Sequence, residues 1–202
     1  MLYSRVVKTL IRVPMVIVGA TLFLAAAGCG DDDEATPSAT SEGTATASST
    51  EEPFSGDRDP VEGTPRGSPP LGGVLLVDVR IGEHTTFDRV TFEFDSGLPG
   101  YSVQYVEPPI IADPSGMEVE IEGAAFILIR MEPAAGHDPN TGDETYTGGL
   151  ELKPALPSLL EAERTGDFEA VLNWVLGLSE EVDFRVTTLD GPPRLVVDVE
   201  HP

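Results

Sequence analysis

From Gly73 to Pro202 the chain is written in short runs of alternating apolar and polar residues, cut at intervals by turn signals. That pattern favours an antiparallel β architecture. Val90-Thr91-Phe92-Glu93-Phe94 and Tyr101-Ser102-Val103-Gln104-Tyr105 alternate cleanly, as does Met117-Glu118-Val119-Glu120-Ile121-Glu122. Val74–Ile81 reads as a strand with Val77, Val79 and Ile81 on one face. Ala125-Phe126-Ile127-Leu128-Ile129 is a continuous apolar run, expected of a strand buried on both faces. Phe184–Leu189 and Arg194–Val199 close the chain. Gly97-Leu98-Pro99-Gly100, Asp113-Pro114-Ser115-Gly116 and Asp190-Gly191-Pro192-Pro193 supply turns. The expectation is an all-β fold, an antiparallel β-sandwich-like single domain over residues 73–202. The stretch 157–178 reads two ways. Pro157 suits the first position of a short helix ending at Gly166, whereas Val171–Leu178 reads better as a buried strand.

Residues 1–28 have the composition of an export signal. Arg5, Lys8 and Arg12 precede an apolar stretch from Val13 to Ala27, too short for a comfortable membrane span. The stretch ends in Leu24-Ala25-Ala26-Ala27-Gly28-Cys29, and Cys29 is the chain's one cysteine. This resembles the lipobox of bacterial lipoproteins, with Ala26 where that motif usually carries Leu. The resemblance implies a lipoprotein signal peptide, diacylglycerol on Cys29 and an amide-linked acyl chain such as palmitate. The alternative is an ordinary signal cut at Ala-x-Ala. Two buried acyl tails, at about 0.8 kcal/mol per methylene, give stable anchoring at the extracytoplasmic face of the cell membrane. A lone cysteine leaves no intramolecular disulfide, so the domain must rely on its core.

Residues 29–72 open with Asp31-Asp32-Asp33-Glu34 and continue in Ala, Thr, Ser, Glu, Gly and Pro, with Phe54 the single aromatic. Such a composition buries too little apolar area to offset ordering entropy, and a disordered acidic linker is expected. Its reach is about 35 Å.

The chain carries 12 basic against 35 acidic residues, a net charge of −23. Three of the twelve basic residues leave with the signal. Such a field repels nucleic acid, anionic lipid surfaces and anionic wall polymers unless cations bridge them. The bland explanation of the acidity is solubility.

A family resemblance rests on several stretches in order. Val79-Arg80-Ile81-Gly82-Glu83-His84 is followed by Phe87-Asp88-Arg89-Val90-Thr91-Phe92-Glu93-Phe94 and by the turn Asp113–Gly116. Later come Gly166-Asp167-Phe168-Glu169, Trp174-Val175-Leu176-Gly177-Leu178 and Pro193-Arg194-Leu195-Val196-Val197-Asp198-Val199. Over about residues 74–200 the chain resembles the AMIN-like domain of bacterial lipoproteins. Ala170 stands where that family often has Gly. The resemblance implies a β-sandwich and an envelope-targeting, often peptidoglycan-associated role.

Phe87-Asp88-Arg89-Val90 is expected to turn an aromatic inward and place charge where the strand begins. Asp198 shares a strand face with Arg194 and can pair with Arg89 or Arg80 across strands. These charges either satisfy one another, or arginine donors and His84 grip a carboxylate or sugar hydroxyl. Tyr101 and Tyr105 share a face, as core residues or as a stacking platform near Trp174. The ligand-binding candidates are therefore Arg80, His84, Arg89, Tyr101 and Tyr105, with Cys29 the lipidation site.

Asp138-Pro139-Asn140-Thr141-Gly142-Asp143-Glu144 places oxygens on alternate residues as a calcium loop does, but lacks the spaced terminal glutamate of an EF-hand. A solvated loop is the plainer reading. No catalytic apparatus is legible. His84, His137 and His201 have no zinc-like spacing, no Gly-x-Ser-x-Gly occurs, and Cys29 is committed to lipid. No cofactor and no metal are expected. The sequence points to a non-catalytic envelope binding module, for peptidoglycan or another wall glycan, held by membrane lipid. The competing reading is an assembly lipoprotein that docks an envelope protein through a sheet edge.

Overall fold

The computed structural model describes residues 53–67 and 73–202. The signal peptide, Cys29 and the linker before residue 53 lie outside the described residues. Among those described there is no helix, and thirteen strands are formed. They are β1 (Val61–Gly63), β2 (Val74–Glu83), β3 (Phe87–Phe94), β4 (Gly100–Val106), β5 (Ile110–Ile111), β6 (Glu118–Val119) and β7 (Ala125–Glu132). Then follow β8 (Ala134–Ala135), β9 (Glu151–Leu152), β10 (Leu159–Phe168), β11 (Val171–Leu178), β12 (Phe184–Leu189) and β13 (Arg194–Glu200).

Two sheets share one core. A six-stranded sheet has the order β1-β4-β7-β11-β10-β9, and a five-stranded sheet the order β12-β13-β3-β2-β8. All pairings are antiparallel except β2 with β8. Alternation dictates the filling: Val90, Phe92, Phe94, Leu195, Val197 and Val199 come from one sheet. Val103, Ile127, Ile129, Met131, Leu172, Trp174 and Leu176 come from the other. Trp174 is fully buried, edge-on to Phe92 at 5.6 Å and to Tyr146 at 5.9 Å. Fully burying side chains of this size is worth about 1.5–3 kcal/mol each, which lets the domain stand without a disulfide.

The all-β sandwich expectation therefore holds, and the local departures have physical causes. In β2 the register shifts between Leu76 and Asp78, so Val77 is the extra residue of a bulge and is 38% exposed. The inward face is Leu76 and then Val79. The aromatic Phe87 does not turn inward: Val90, Phe92 and Phe94 do, so by alternation Asp88 is the inward neighbour and Phe87 lies on the outer face. Asp88, fully buried, accepts the backbone N–H groups of Ser158 and Leu159 at 2.8 and 2.9 Å and meets His201 Nε2 at 2.9 Å.

The expected strand over Met117–Glu122 shrinks to the two residues of β6, paired with β5. The segment carrying β5 and β6 lies against the outer face of the six-stranded sheet. A Cβ on Gly177 would stand 2.0 Å from the Glu122 carbonyl, so the backbone approach needs glycine there. Ala125–Ile129 is accordingly apolar on both sides, with Ile127 and Ile129 in the core and Phe126 and Leu128 half-buried. Residues 157–178 contain no helix. β10 and β11 form a hairpin whose two-residue turn, Glu169-Ala170, has φ of 50° and 60°.

Residues 53–67, inside the stretch expected to lack structure, are ordered against the domain. Asp57 exchanges two backbone hydrogen bonds with Phe184 of β12, β1 pairs with β4, and Arg66 bridges to Leu98. Arg58 reaches Asp183 at 3.0 Å. The segment thus holds an edge of each sheet, as a clasp. Most of its contacts are polar or backbone-made, with Phe54 and Val61 its apolar points of attachment, so hydropathy gave little signal of it.

Candidate functional site

The outer face of the five-stranded sheet gathers four of the chain's twelve basic residues. Register places Arg185, Asp198, Arg89 and Gly82 in one row across β12, β13, β3 and β2. The next row is Thr187, Val196, Thr91 and Arg80, and the third is Leu189, Arg194, Glu93 and Asp78.

Asp198 is the pin of the first row. Its side chain is 1% exposed, while those of Arg89 and Arg185 are 34% and 33% exposed. Arg89 donates from Nε to Oδ1 at 2.7 Å and from Nη2 to Oδ2 at 2.9 Å, a fork-to-fork pair. Arg185 Nε donates to Oδ2 at 2.8 Å from the other side. The hydrogen bonds from Arg89 to Asp198 raise the guanidinium above its ordinary value against the opposing cost of burial. Two cations thus share one carboxylate, leaving the row positive.

Aromatic rings close one end of that row. Phe87 stacks on His84 at 4.4 Å and meets Phe54 at 5.9 Å. Arg185 lies 4.8 Å from both the Phe54 and Phe87 ring centroids, and Arg89 lies 5.1 Å from Phe87. These distances fit cation–π contact. Arg80 is held by Asp78 and by Glu93 at 2.7 Å. The guanidinium groups are therefore fixed in place, and a ligand accepting their outward N–H groups meets donors that are already ordered.

Of the five ligand candidates, the fold brings Arg80, His84 and Arg89 to this face. Tyr101 and Tyr105 belong to the other sheet. Tyr101 packs over Gly63 of β1, where a Cβ would stand 2.2 Å from the ring. Tyr105 donates its hydroxyl to the Val182 carbonyl at 2.6 Å and accepts the Val182 N–H at 3.1 Å. Burial pushes its phenol above the usual value. Sequence reasoning missed Arg185 and Phe54. Arg185 was legible, because it is one residue beyond the core position Phe184 and so must face outward. Phe54 gave no signal beyond being the one aromatic of its stretch.

In the loop 138–144 the Asp138 and Thr141 side-chain oxygens accept from the loop's own backbone, and Glu144 pairs with Arg164 of β10 at 3.2 Å. Asp138 Oδ1 accepts the Asn140 N–H at 2.8 Å, which with the Asn140 amide holds its carboxyl below the usual range. Among the described residues no three His, Cys, Asp or Glu side chains are grouped to hold a metal.

The family model of the AMIN-like domain matches residues 74–201. The chain belongs to the AMIN-like family. No curated protein and no solved structure matches it. The AMIN-like span runs from β2 to the end of β13 and includes Arg80, Arg89, Arg185 and Asp198. The clasp, with Phe54, Arg58 and β1, precedes it. Membership makes the domain a cell-envelope-related module.

Proposed function

We propose that this AMIN-like domain is a non-catalytic binding module that holds carboxylate-bearing wall glycan, peptidoglycan in the first instance, on the arginine face of its five-stranded sheet. A lipid on Cys29 tethers it to the outer side of the cell membrane. The observation that carries the reading is the clustering of Arg80, Arg89, Arg185 and Arg194 on one sheet face of a chain with net charge −23. Guanidinium is the side chain best suited to planar carboxylates, and the Phe87 and His84 rings beside it offer stacking area to a sugar.

Co-sedimentation of the chain with purified wall sacculi tests the glycan arm. Binding that falls as salt rises is expected, since the face is exposed and charged. For the anchor, metabolic labelling with an alkyne fatty acid should mark the chain, and Cys29→Ser should abolish the label. A second reading, docking of an envelope protein by strand addition, is favoured by one feature. β12 is an edge strand whose Phe184 is capped by Asp57, so by alternation Val186 and Thr188 turn their backbone groups to the open edge.

A further inference from the structure

The clasp brings a ring onto the arginine face from outside the AMIN-like span. Asp57 exchanges backbone hydrogen bonds with Phe184 at the edge of β12, and three residues earlier Phe54 already lies against Phe87 of β3. The chain therefore turns off the sheet edge onto the outer face. Gly56 makes the turn possible: a Cβ there would stand 2.5 Å from the Phe184 carbonyl oxygen and 2.7 Å from Phe54 Cε1. Seated this way, Phe54, Phe87 and the Arg185 guanidinium form a triangle with sides of 5.9, 4.8 and 4.8 Å.

Rings 5.9 Å apart touch, so no third ring fits between Phe54 and Phe87. A sugar ring that stacks on Phe87 and places a carboxylate on Arg185 needs the space that Phe54 fills. The hold on Phe54 is light. Among the described residues the first backbone hydrogen bond of the clasp is made by Asp57, so residues 53–56 are attached through the Phe54 ring and the close approach of Gly56 to Phe184. The next anchor, Arg58 to Asp183, is an exposed ion pair and adds little. Lifting the ring leaves the core untouched. Arg185 keeps its bond to Asp198 at 2.8 Å, so the guanidinium behind the ring stays in place.

We propose that Phe54 is a built-in competitor for the arginine face: it occupies the place of the ligand's ring, and a carboxylate-bearing sugar binds by lifting it. The inference rests on that face being the binding face. An intramolecular occupant lowers the apparent affinity by the fraction of chains in which it is lifted. The strength of an exposed cation–π contact sets that reduction at about two- to fivefold, counted at about tenfold per 1.4 kcal/mol.

The test is an NMR titration of the full chain in detergent micelles with N-acetylmuramic acid, a sugar that carries a carboxylate, followed at the Arg185 Nε–H signal. Phe54→Ala, which removes the ring, and Gly56→Ala, which keeps the ring but unseats it, should each bind about two- to fivefold more tightly than the parent. Phe54→Tyr, which keeps a seated ring, should bind as the parent does. Before the sugar is added, the Arg185 signal of Gly56→Ala should lie close to that of Phe54→Ala, because both lose the ring from beside the guanidinium. Equal binding in the parent, Phe54→Ala and Gly56→Ala chains would overturn the competitor and leave the arginine face standing. Weaker binding in Phe54→Ala would also overturn it, by making the ring part of the ligand platform. No saturable binding in any of the chains would overturn the arginine face and the inference together.

Discussion

Arg89 and Asp198 face each other across β3 and β13, joined by two N–H···O bonds of 2.7 and 2.9 Å, with the carboxylate 1% exposed. Arg185 completes the group from β12 at 2.8 Å. Because two arginines share the carboxylate, removing one leaves it partnered. Arg89→Ala should cost about 1–3 kcal/mol, the scale of a charge-assisted hydrogen bond. Arg89→Ala with Arg185→Ala should cost more than the sum, because a buried carboxylate is then left with neither cation. Urea unfolding of the four chains measures this; additive losses would mean that Asp198 is satisfied by other groups.

The clasp makes a prediction of the opposite sense to the linker composition. A chain beginning at Gly73 loses the Asp57–Phe184 bonds, the β1–β4 pairing and the Phe54–Arg185 contact. Its Tm should fall by several degrees relative to a chain beginning at Gly30. An unchanged Tm would mean the clasp contributes nothing. Phe54→Ala alone should remove a smaller part, about 0.5–1 kcal/mol for an exposed cation–π contact.

The β10–β11 turn is strained at a point where the AMIN-like family often has glycine. Ala170 sits at φ 60°, and its carbonyl accepts the Ala134 N–H at 2.9 Å. A Cβ in the left-handed region costs about 1–2 kcal/mol. Part of that is returned by the greater freedom of glycine in the unfolded chain. Ala170→Gly should therefore stabilise the domain by about 0.5–1 kcal/mol in urea unfolding, and a loss of stability would contradict the turn geometry.

Glu163 stands directly opposite Glu151 across β10 and β9, with Glu161 two residues away on its strand. Burial first, and then these two carboxylates, raise its carboxyl above the usual value, against a smaller opposing pull from Lys153. With the folded value above the unfolded one, the protonated form is the one the fold prefers. The domain therefore loses stability as pH rises through the carboxylate range, and the penalty is fully present at neutral pH. Glu163→Gln should stabilise at pH 7 by about 0.2–1 kcal/mol, the scale of a like-charged cross-strand pair. The gain should vanish below the carboxylate range, and thermal melts at both pH values read it.

Much of the sandwich was legible because alternation fixes both strand and face: Val90, Phe92, Phe94 and Val103 sit where their period puts them. The same period, applied from Val90 backward, assigns Asp88 inward and Phe87 outward; treating an aromatic as core by type gave the wrong face. Val77 was misplaced because a bulge resets the period and leaves no mark in the apolar pattern. Pro157–Gly166 carries good helix formers, and pairing with β11 and β9 overrides them. Of the candidate site, Arg89 with Asp198 followed from face and spacing. Arg80 could not be ruled out as the partner until register placed it opposite Thr91. The clasp was hidden because backbone pairing by a few residues of mixed polarity leaves no hydropathy signal.

Wall binding by the arginine face is measured most directly by pairing a sacculus isotherm with a melt for each of Arg80→Ala, Arg185→Ala and Arg194→Ala. Each variant leaves the Arg89–Asp198 pair in place. Binding weakened by several-fold or more in each, at a Tm within a few degrees of the parent, is the expected result. Undiminished binding in all three folded variants, or binding indifferent to salt, would contradict the assignment of this face.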